Sequence, residues 1–172
     1  MPLGNSFKSI APLLALTLAG AAAHGQVASV RYEWHNVVIG GGGFSPNIIF
    51  SPAEKGLAYL RTDVGGAYRW DSGKQRWIPL QDSQWQNSYF GIESIAPDPK
   101  APNIVYVAAG MYHDAPAAIL RSADRGTTWT PLAPGIPQGQ LDGSLVADPT
   151  QPLVFYAGTH QRGLMVLRRS TP

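Results

Sequence analysis

The chain has 172 residues, 44% of them hydrophobic and 14% charged, a globular rather than a disordered composition and enough for one domain. Its 19 glycines and 15 prolines interrupt it too often for long helices, and the lack of cysteine excludes disulfides and thiol chemistry. The net charge of +2 comes from basic residues scattered singly, which leaves no stripe for nucleic acid despite a pI of about 9.0.

Residues 1–25 have the form of an export signal. Lys8 gives the positive flank, Ile10 to Ala23 is apolar apart from Thr17, and Ala21-Ala22-Ala23 or Ala23-His24-Gly25 offers a small-x-small cleavage site. The apolar run is shorter than the roughly 20 residues that span a bilayer. The expectation is a secreted or periplasmic protein, free of the membrane after cleavage, with its domain over 26–172.

In chain order, Arg31 to Ile39 is aromatic and β-branched and predicts a strand. Gly40 to Gly43 follows. A phosphate-binding loop would continue with Lys-Ser/Thr, but Phe44-Ser45-Pro46 comes next, so the run serves close backbone approach, either as packing or as a wall beside a ligand. Asn47 to Phe50 and Leu57 to Arg61 predict strands separated by a Ser-Pro turn. Leu60 to Trp70 (LRTDVGGAYRW) then makes a tight glycine turn around Asp63. Tyr68 to Trp70 leaves it, Asp71 to Lys74 is a hairpin turn, and Arg76 to Leu80 returns.

The pattern repeats through Ile104 to Ala109, Ala118 to Arg121 and Thr130 to Leu132, and again from Val146 through Val154 to Gly158 and Gly163 to Arg169. Asp-Pro markers at 98–99 and 148–149 give a period of about 50 residues, with about four short strands per unit, the signature of β-propeller blades. The expected fold is all-β: about three blades of antiparallel four-stranded sheet, near 31–80, 81–132 and 133–172, forming an incomplete propeller, since closed propellers use about four to eight blades.

Ser122-x-Asp124-x-Gly126-x-Thr128-Trp129 resembles the Asp-box of bacterial sialidases and several glycosidase families. Its physics is local: the carboxylate of Asp124 accepts N–H bonds across a hairpin, Gly126 takes a positive φ, and Trp129 packs beneath. These residues are expected to be structural. Aligning Leu60-Arg61-Thr62 with Leu120-Arg121-Ser122 puts Asp63 opposite Ala123 rather than Asp124. A one-residue shift in a strand changes the face of a side chain, so Asp63 is expected to face a cleft.

Tyr32 to Ile39 with Gly40 to Phe44, then Arg61 to Trp70, Ala109 to Tyr112 and Ile119 to Ser122, together resemble the N-terminal part of glycoside hydrolase family 74, the xyloglucanases and related β-1,4-glucanases, over about residues 31–132. The resemblance implies a two-propeller enzyme, its substrate groove between the domains, that cleaves a xyloglucan or other β-glucan backbone with inversion. In that mechanism one carboxylate activates water and another protonates the leaving oxygen, about 6.5–9.5 Å away. It further implies that Asp63 is the general base. The general acid would lie in a second propeller, so this chain alone would be inert or weakly active. No cofactor or metal is implied, and the four histidines lack ligand spacing.

Trp70, Trp85, Tyr89 and Tyr112 are candidates for stacking on sugar faces, against a core role for each; Trp34, Trp77 and Trp129 are expected in the core. Arg61 and Arg69 flank Asp63 in sequence, as cations favouring its ionised form or as ion-paired surface residues. Asp98 belongs to a Pro-Asp-Pro turn, and Glu93 is the one other acid with a claim on a cleft. Two further readings stand beside the hydrolase: a non-catalytic Asp-box module that binds glycan or protein, and an inactive truncation product.

Overall fold

The computed structural model describes residues 31–84, 86–110, 116–133, 141–159 and 163–168. The expected export signal lies outside them, as do Trp85 and Tyr112. Residues up to Trp34 form a unit separate from His35–Pro172, and the sheets belong to the latter.

Among the described residues the chain forms strands and one short 3-10 turn. The first sheet holds β1 (Asn47–Phe50), β2 (Ala58–Arg61), β3 (Ala67–Asp71) and β4 (Arg76–Pro79) in sequence order. The second holds β5 (Ile92–Pro97), β6 (Val105–Ala109), β7 (Ala118–Ser122) and β8 (Thr130–Ala133). The third pairs β9 (Leu141–Ala147), β10 (Phe155–Thr159) and β11 (Gly163–Leu167), three described strands where four are expected. All neighbours run antiparallel. These are β-propeller blades, each a meander of strands paired in sequence order.

Strand alternation builds the core between the sheets. Val105, Val107 and Ala109 of β6 face the first sheet, where they meet Tyr59 and Leu80. Tyr106 and Ala108 face the third, where the ring of Tyr106 lies 4.4 Å from that of Phe155, edge to face. Both faces of β6 are buried, which is why its sequence is continuously apolar instead of alternating. Burying each such valine contributes on the order of 1.5–3 kcal/mol.

The meander fixes which turns share an end. Hydrogen bonds from Ile92 N–H to the Thr62 carbonyl (3.1 Å) and from Gly66 N–H to the Phe90 carbonyl (2.7 Å) join the first two sheets at what we call the upper end. This end carries the β2–β3 turn and the β4–β5 connection, which includes the 3-10 turn Asn87–Phe90. At the lower end the guanidinium of Arg125 grips Glu54 with two bonds, 3.0 and 2.7 Å, from the β7–β8 turn to the β1–β2 turn.

Three expectations fail here. Residues 31–39 form no strand; Val38 makes one isolated bridge, to Arg76, and Trp77 N–H donates to the Val38 carbonyl at 3.0 Å. One bridge to the edge of β4 is too little pairing to make a strand. Trp34 is 99% exposed, not core. The alignment of Thr62 with Ser122 also fails: Thr62 follows the second strand of its sheet and Ser122 ends the third. Their turns stand at opposite ends of the blades. The counterpart of the Asp124 turn in the first sheet is the β3–β4 turn, after which Trp77-Ile78-Pro79-Leu80 answers Trp129-Thr130-Pro131-Leu132.

Candidate active site

The upper β2–β3 turn is organised by a buried hydroxyl. Thr62 is fully buried. Its Oγ1 donates to the Gly66 carbonyl and accepts from Gly65 N–H, both at 2.9 Å, while its own N–H donates to the Gly66 carbonyl at 3.0 Å. Gly66 has φ +88°, a left-handed conformation that glycine adopts without strain. The Tyr68 hydroxyl donates to the Gly65 carbonyl at 2.7 Å, and Gln81 Oε1 accepts Ala67 N–H at 2.9 Å. The turn is thus pinned from within, from β3 and from the β4–β5 connection.

The glycine run crosses this turn. A Cβ on Gly41 would collide with the Tyr68 hydroxyl, one on Gly65 with the Gly42 carbonyl oxygen, and one on Gly43, at φ +103°, would lie 2.8 Å from Asp63 Oδ1. The run is glycine because two backbones and a tyrosine tip meet there. Past it, Phe44 is bonded to Asp63 in both directions: Phe44 N–H donates to Asp63 Oδ1 at 2.8 Å, and Asp63 N–H donates to the Phe44 carbonyl at 3.2 Å.

Asp63 is exposed, anchored through Oδ1, and its Oδ2 has no hydrogen-bond partner among the described residues. Phe44 is 70% exposed and Val64 is exposed beside it. A carboxylate held by one oxygen with the other open toward solvent can accept a proton from a positioned water.

The other expected site residues divide. Arg61 stands at this end, but its Nη1 donates to the Ile92 carbonyl at 2.8 Å, which ties β2 to β5. Tyr89 is also at this end and packs against the core between the first two sheets. Trp70 is not brought to Asp63. It lies toward the lower end of β3, its ring 5.4 Å from that of its cross-strand partner Trp77. Arg69 likewise points to the lower seam, where its Nη1 donates to the Arg125 carbonyl at 3.0 Å. Sequence adjacency misplaced both, because β3 carries them away from the turn. Glu93 is half-buried at a bulge in β5, and the carboxylate of Asp98 accepts Lys100 and Ala101 N–H within its own turn. Phe44 and Gln81 are the participants that sequence reading missed. The run of four glycines signals a close approach, yet nothing in it names the partner.

Asp124 is occupied in full. Its Oδ1 accepts the Ser122 hydroxyl (2.7 Å) and Thr128 N–H (2.8 Å), and its Oδ2 accepts the Thr128 hydroxyl (2.6 Å). The Thr128 bonds first, then that of Ser122, hold its pKa down to about 2. Gly126 has φ +90°, and Trp129 Nε1 donates to the Leu80 carbonyl at 2.9 Å. Among the described residues no group of three or more His, Asp or Glu is placed to hold a metal.

No family model matches the chain. It is 47% identical over 163 residues to a xyloglucanase of Acetivibrio thermocellus, covering 87% of this chain and 19% of that protein. It is 40% identical over 159 residues to an oligoxyloglucan-reducing end-specific xyloglucanase of Emericella nidulans, with the same two coverages. The crystal structure of a glycoside hydrolase family 74 xyloglucanase from Xanthomonas campestris superposes with a TM-score of 0.64 at 40% identity, covering 80% of this chain and 21% of that one. The chain therefore spans about a fifth of the length of the relatives it matches.

Proposed function

Because this chain is a relative of the glycoside hydrolase family 74 xyloglucanases along most of its length, we propose that it supplies the general base, Asp63, of an exported, inverting xyloglucan hydrolase. In this reading Asp63 Oδ2 takes a proton from water as the water attacks the anomeric carbon. A carboxylic acid on a further propeller protonates the departing glycosidic oxygen from the opposite side of the sugar. Phe44 N–H fixes Oδ1, so the carboxylate keeps its orientation while Oδ2 changes protonation.

The observation that carries this reading is the difference in occupancy between the two turn acids. Asp124 spends both oxygens inside its own turn, whereas Asp63 spends one and exposes the other. The glucan would lie across the upper end, where Tyr89, Arg61 and the β4–β5 connection stand. Sugar contact by Trp85 and Tyr112 belongs to the same proposal.

In a protein joining this chain to an acid-bearing propeller, Asp63→Asn lowers xyloglucan hydrolysis about 10²–10⁴-fold while oligosaccharide affinity stays within about threefold. Hydrolysis near the parent rate in that variant removes Asp63 from the mechanism. The 172-residue chain alone binds xyloglucan oligosaccharides without releasing product. Product from the isolated chain would refute the split between base and acid.

A further inference from the structure

At the lower end, the seam between the first and second sheets opens into a cleft of about 300 Å³. Its walls carry Lys55, Arg69 and Arg125 as cations and Glu54 and Asp71 as carboxylates. Most of this charge is already engaged. Arg125 and Glu54 neutralise each other through two bonds, and the remaining Nε of Arg125 donates to Asn103 at 3.1 Å. Asp71 Oδ1 accepts the N–H groups of Gly73 and Lys74, both at 3.0 Å, and its Oδ2 lies 3.7 Å from the Lys74 ammonium.

Two cations are not engaged in this way. Lys55 is exposed, and Arg69 spends one of its five N–H donors on the Arg125 carbonyl; among the described residues no carboxylate pairs with either. Directly opposite Arg69 in the β2–β3 register stands Tyr59, so both side chains leave the sheet on the same face, about 5 Å apart at Cβ. Tyr59 is completely buried, and among the described residues its hydroxyl has no hydrogen-bond partner. A buried hydroxyl in that state has lost its water and gained nothing in exchange. Burial raises the Tyr59 pKa, with Arg69 and then Arg125 opposing, so at neutral pH the phenol is a donor.

We propose that this cleft binds a small oxyanion, the terminal group of a carboxylate, sulfate or phosphate compound, held by the guanidinium of Arg69, with the Tyr59 hydroxyl, which lies beneath the cleft wall and not on it, as a further donor once the anion displaces that wall. The guanidinium offers paired donors in one plane, which suits two oxygens of one anion. The Glu54 carboxylate nearby does not oppose it, because Arg125 already covers both oxygens. An anion here bridges β2 and β3 to the β7–β8 turn and locks the seam between two blades. The site stands at the opposite end of β3 from Asp63 and does not depend on the role given to that residue.

The test is thermal unfolding of the 172-residue chain in sodium sulfate up to about 10 mM, against sodium chloride at equal ionic strength, a range in which general salt exclusion is small. The midpoint rises with sulfate and saturates, as it does for a ligand that binds only the folded state. Arg69→Gln abolishes the saturable rise. Tyr59→Phe weakens apparent sulfate affinity about tenfold and, without sulfate, is at least as stable as the parent. The proposal is overturned if the parent shows no saturable rise or if Arg69→Gln responds like the parent. Should Arg69→Gln lack a cooperative transition, Tyr59→Phe decides alone: a sulfate midpoint equal to the parent's overturns the site.

Discussion

Asp63 and Asp124 have similar neighbours in sequence, offset by one residue. Each follows an arginine and a hydroxyl residue, each precedes a glycine at positive φ, and each lies just beyond a strand. The structure puts them at opposite ends of the blades and gives their hydroxyls different duties. Ser122 donates to its acid and accepts two backbone N–H groups, from Asp124 at 3.2 Å and Gly126 at 2.7 Å, so acid and hydroxyl form one closed unit. Thr62 closes its turn with backbone alone, through Gly65 and Gly66, and leaves its acid outside. A turn that does not need its carboxylate can offer it to a ligand. The lower turn has no such acid to offer.

The comparison breaks first at the glycines. In the upper turn the acid's position depends on the glycine run lying against Gly65. Gly65→Ala drives a methyl into the Gly42 carbonyl oxygen, with Thr62 Oγ1 at 3.0 Å on another side. Backbone there cannot yield without lifting Phe44 from Asp63. The substitution is expected to cost about 1–3 kcal/mol, read by urea unfolding, and to abolish hydrolysis in any protein that assembles the complete site. Gly42→Ala is the control across the same contact. Among the described residues nothing lies within 4 Å of its added methyl, and its φ is not positive, so its effect stays within about 0.5 kcal/mol. Equal effects from the two variants would mean that the run is not seated on the turn.

The smaller difference is between the acids themselves. Asp124→Ala removes three acceptor bonds and leaves the hydroxyl of Ser122, which is 1% exposed, short of a partner. Water reaches the Thr128 side of the turn, so the loss is about 1–2 kcal/mol rather than the sum of three bonds. Asp63→Ala gives up one exposed bond and costs under about 1 kcal/mol by the same measurement. A larger loss at Asp63 than at Asp124 would reverse the assignment of which acid is structural.

Much of this was legible in advance. Turn residues and the repeat near 50 residues marked the strands of the first two sheets, because short apolar runs between Gly, Pro and Asp have few other uses. The Asp124 turn was legible too, since the side-chain bonds of Asp124 and Ser122 all join residues within four positions of one another. What escaped depended on partners far apart. The bonds between Asp63 and Phe44 span nineteen residues, and the salt bridge of Arg125 to Glu54 spans 71. Local similarity also misled: Leu60-Arg61-Thr62 and Leu120-Arg121-Ser122 read alike, but they end different strands of their meanders. Only pairing order shows that the two turns point in opposite directions. Residues 31–39 carried strand-like chemistry without a strand to pair with, and pairing decides strand formation.

The subtlest distinction is in acid. Folding lowers the Asp124 pKa from its ordinary value near 3.8 to about 2, through the Thr128 hydroxyl and N–H and then the Ser122 hydroxyl. A carboxylate whose folded pKa is depressed stabilises the fold at every pH above its unfolded value, and that contribution drains away as pH falls through the folded value. The parent therefore loses the Asp124 contribution between about pH 4 and pH 2. Asp148 behaves in the same sense over the same window, its carboxylate held down to about 2 chiefly by the Thr150 hydroxyl and N–H. Asp124→Asn starts lower at neutral pH and loses less on acidification, because an amide has no proton to gain. Urea midpoints measured from pH 6 to pH 2 should converge between parent and variant, with the gap closing below pH 4. Adding Asp148→Asn flattens the profile further. Parallel curves over that range would show that the Asp124 bonds do not distinguish its charged from its protonated form, and the turn would then owe its shape to Ser122 and Gly126 alone.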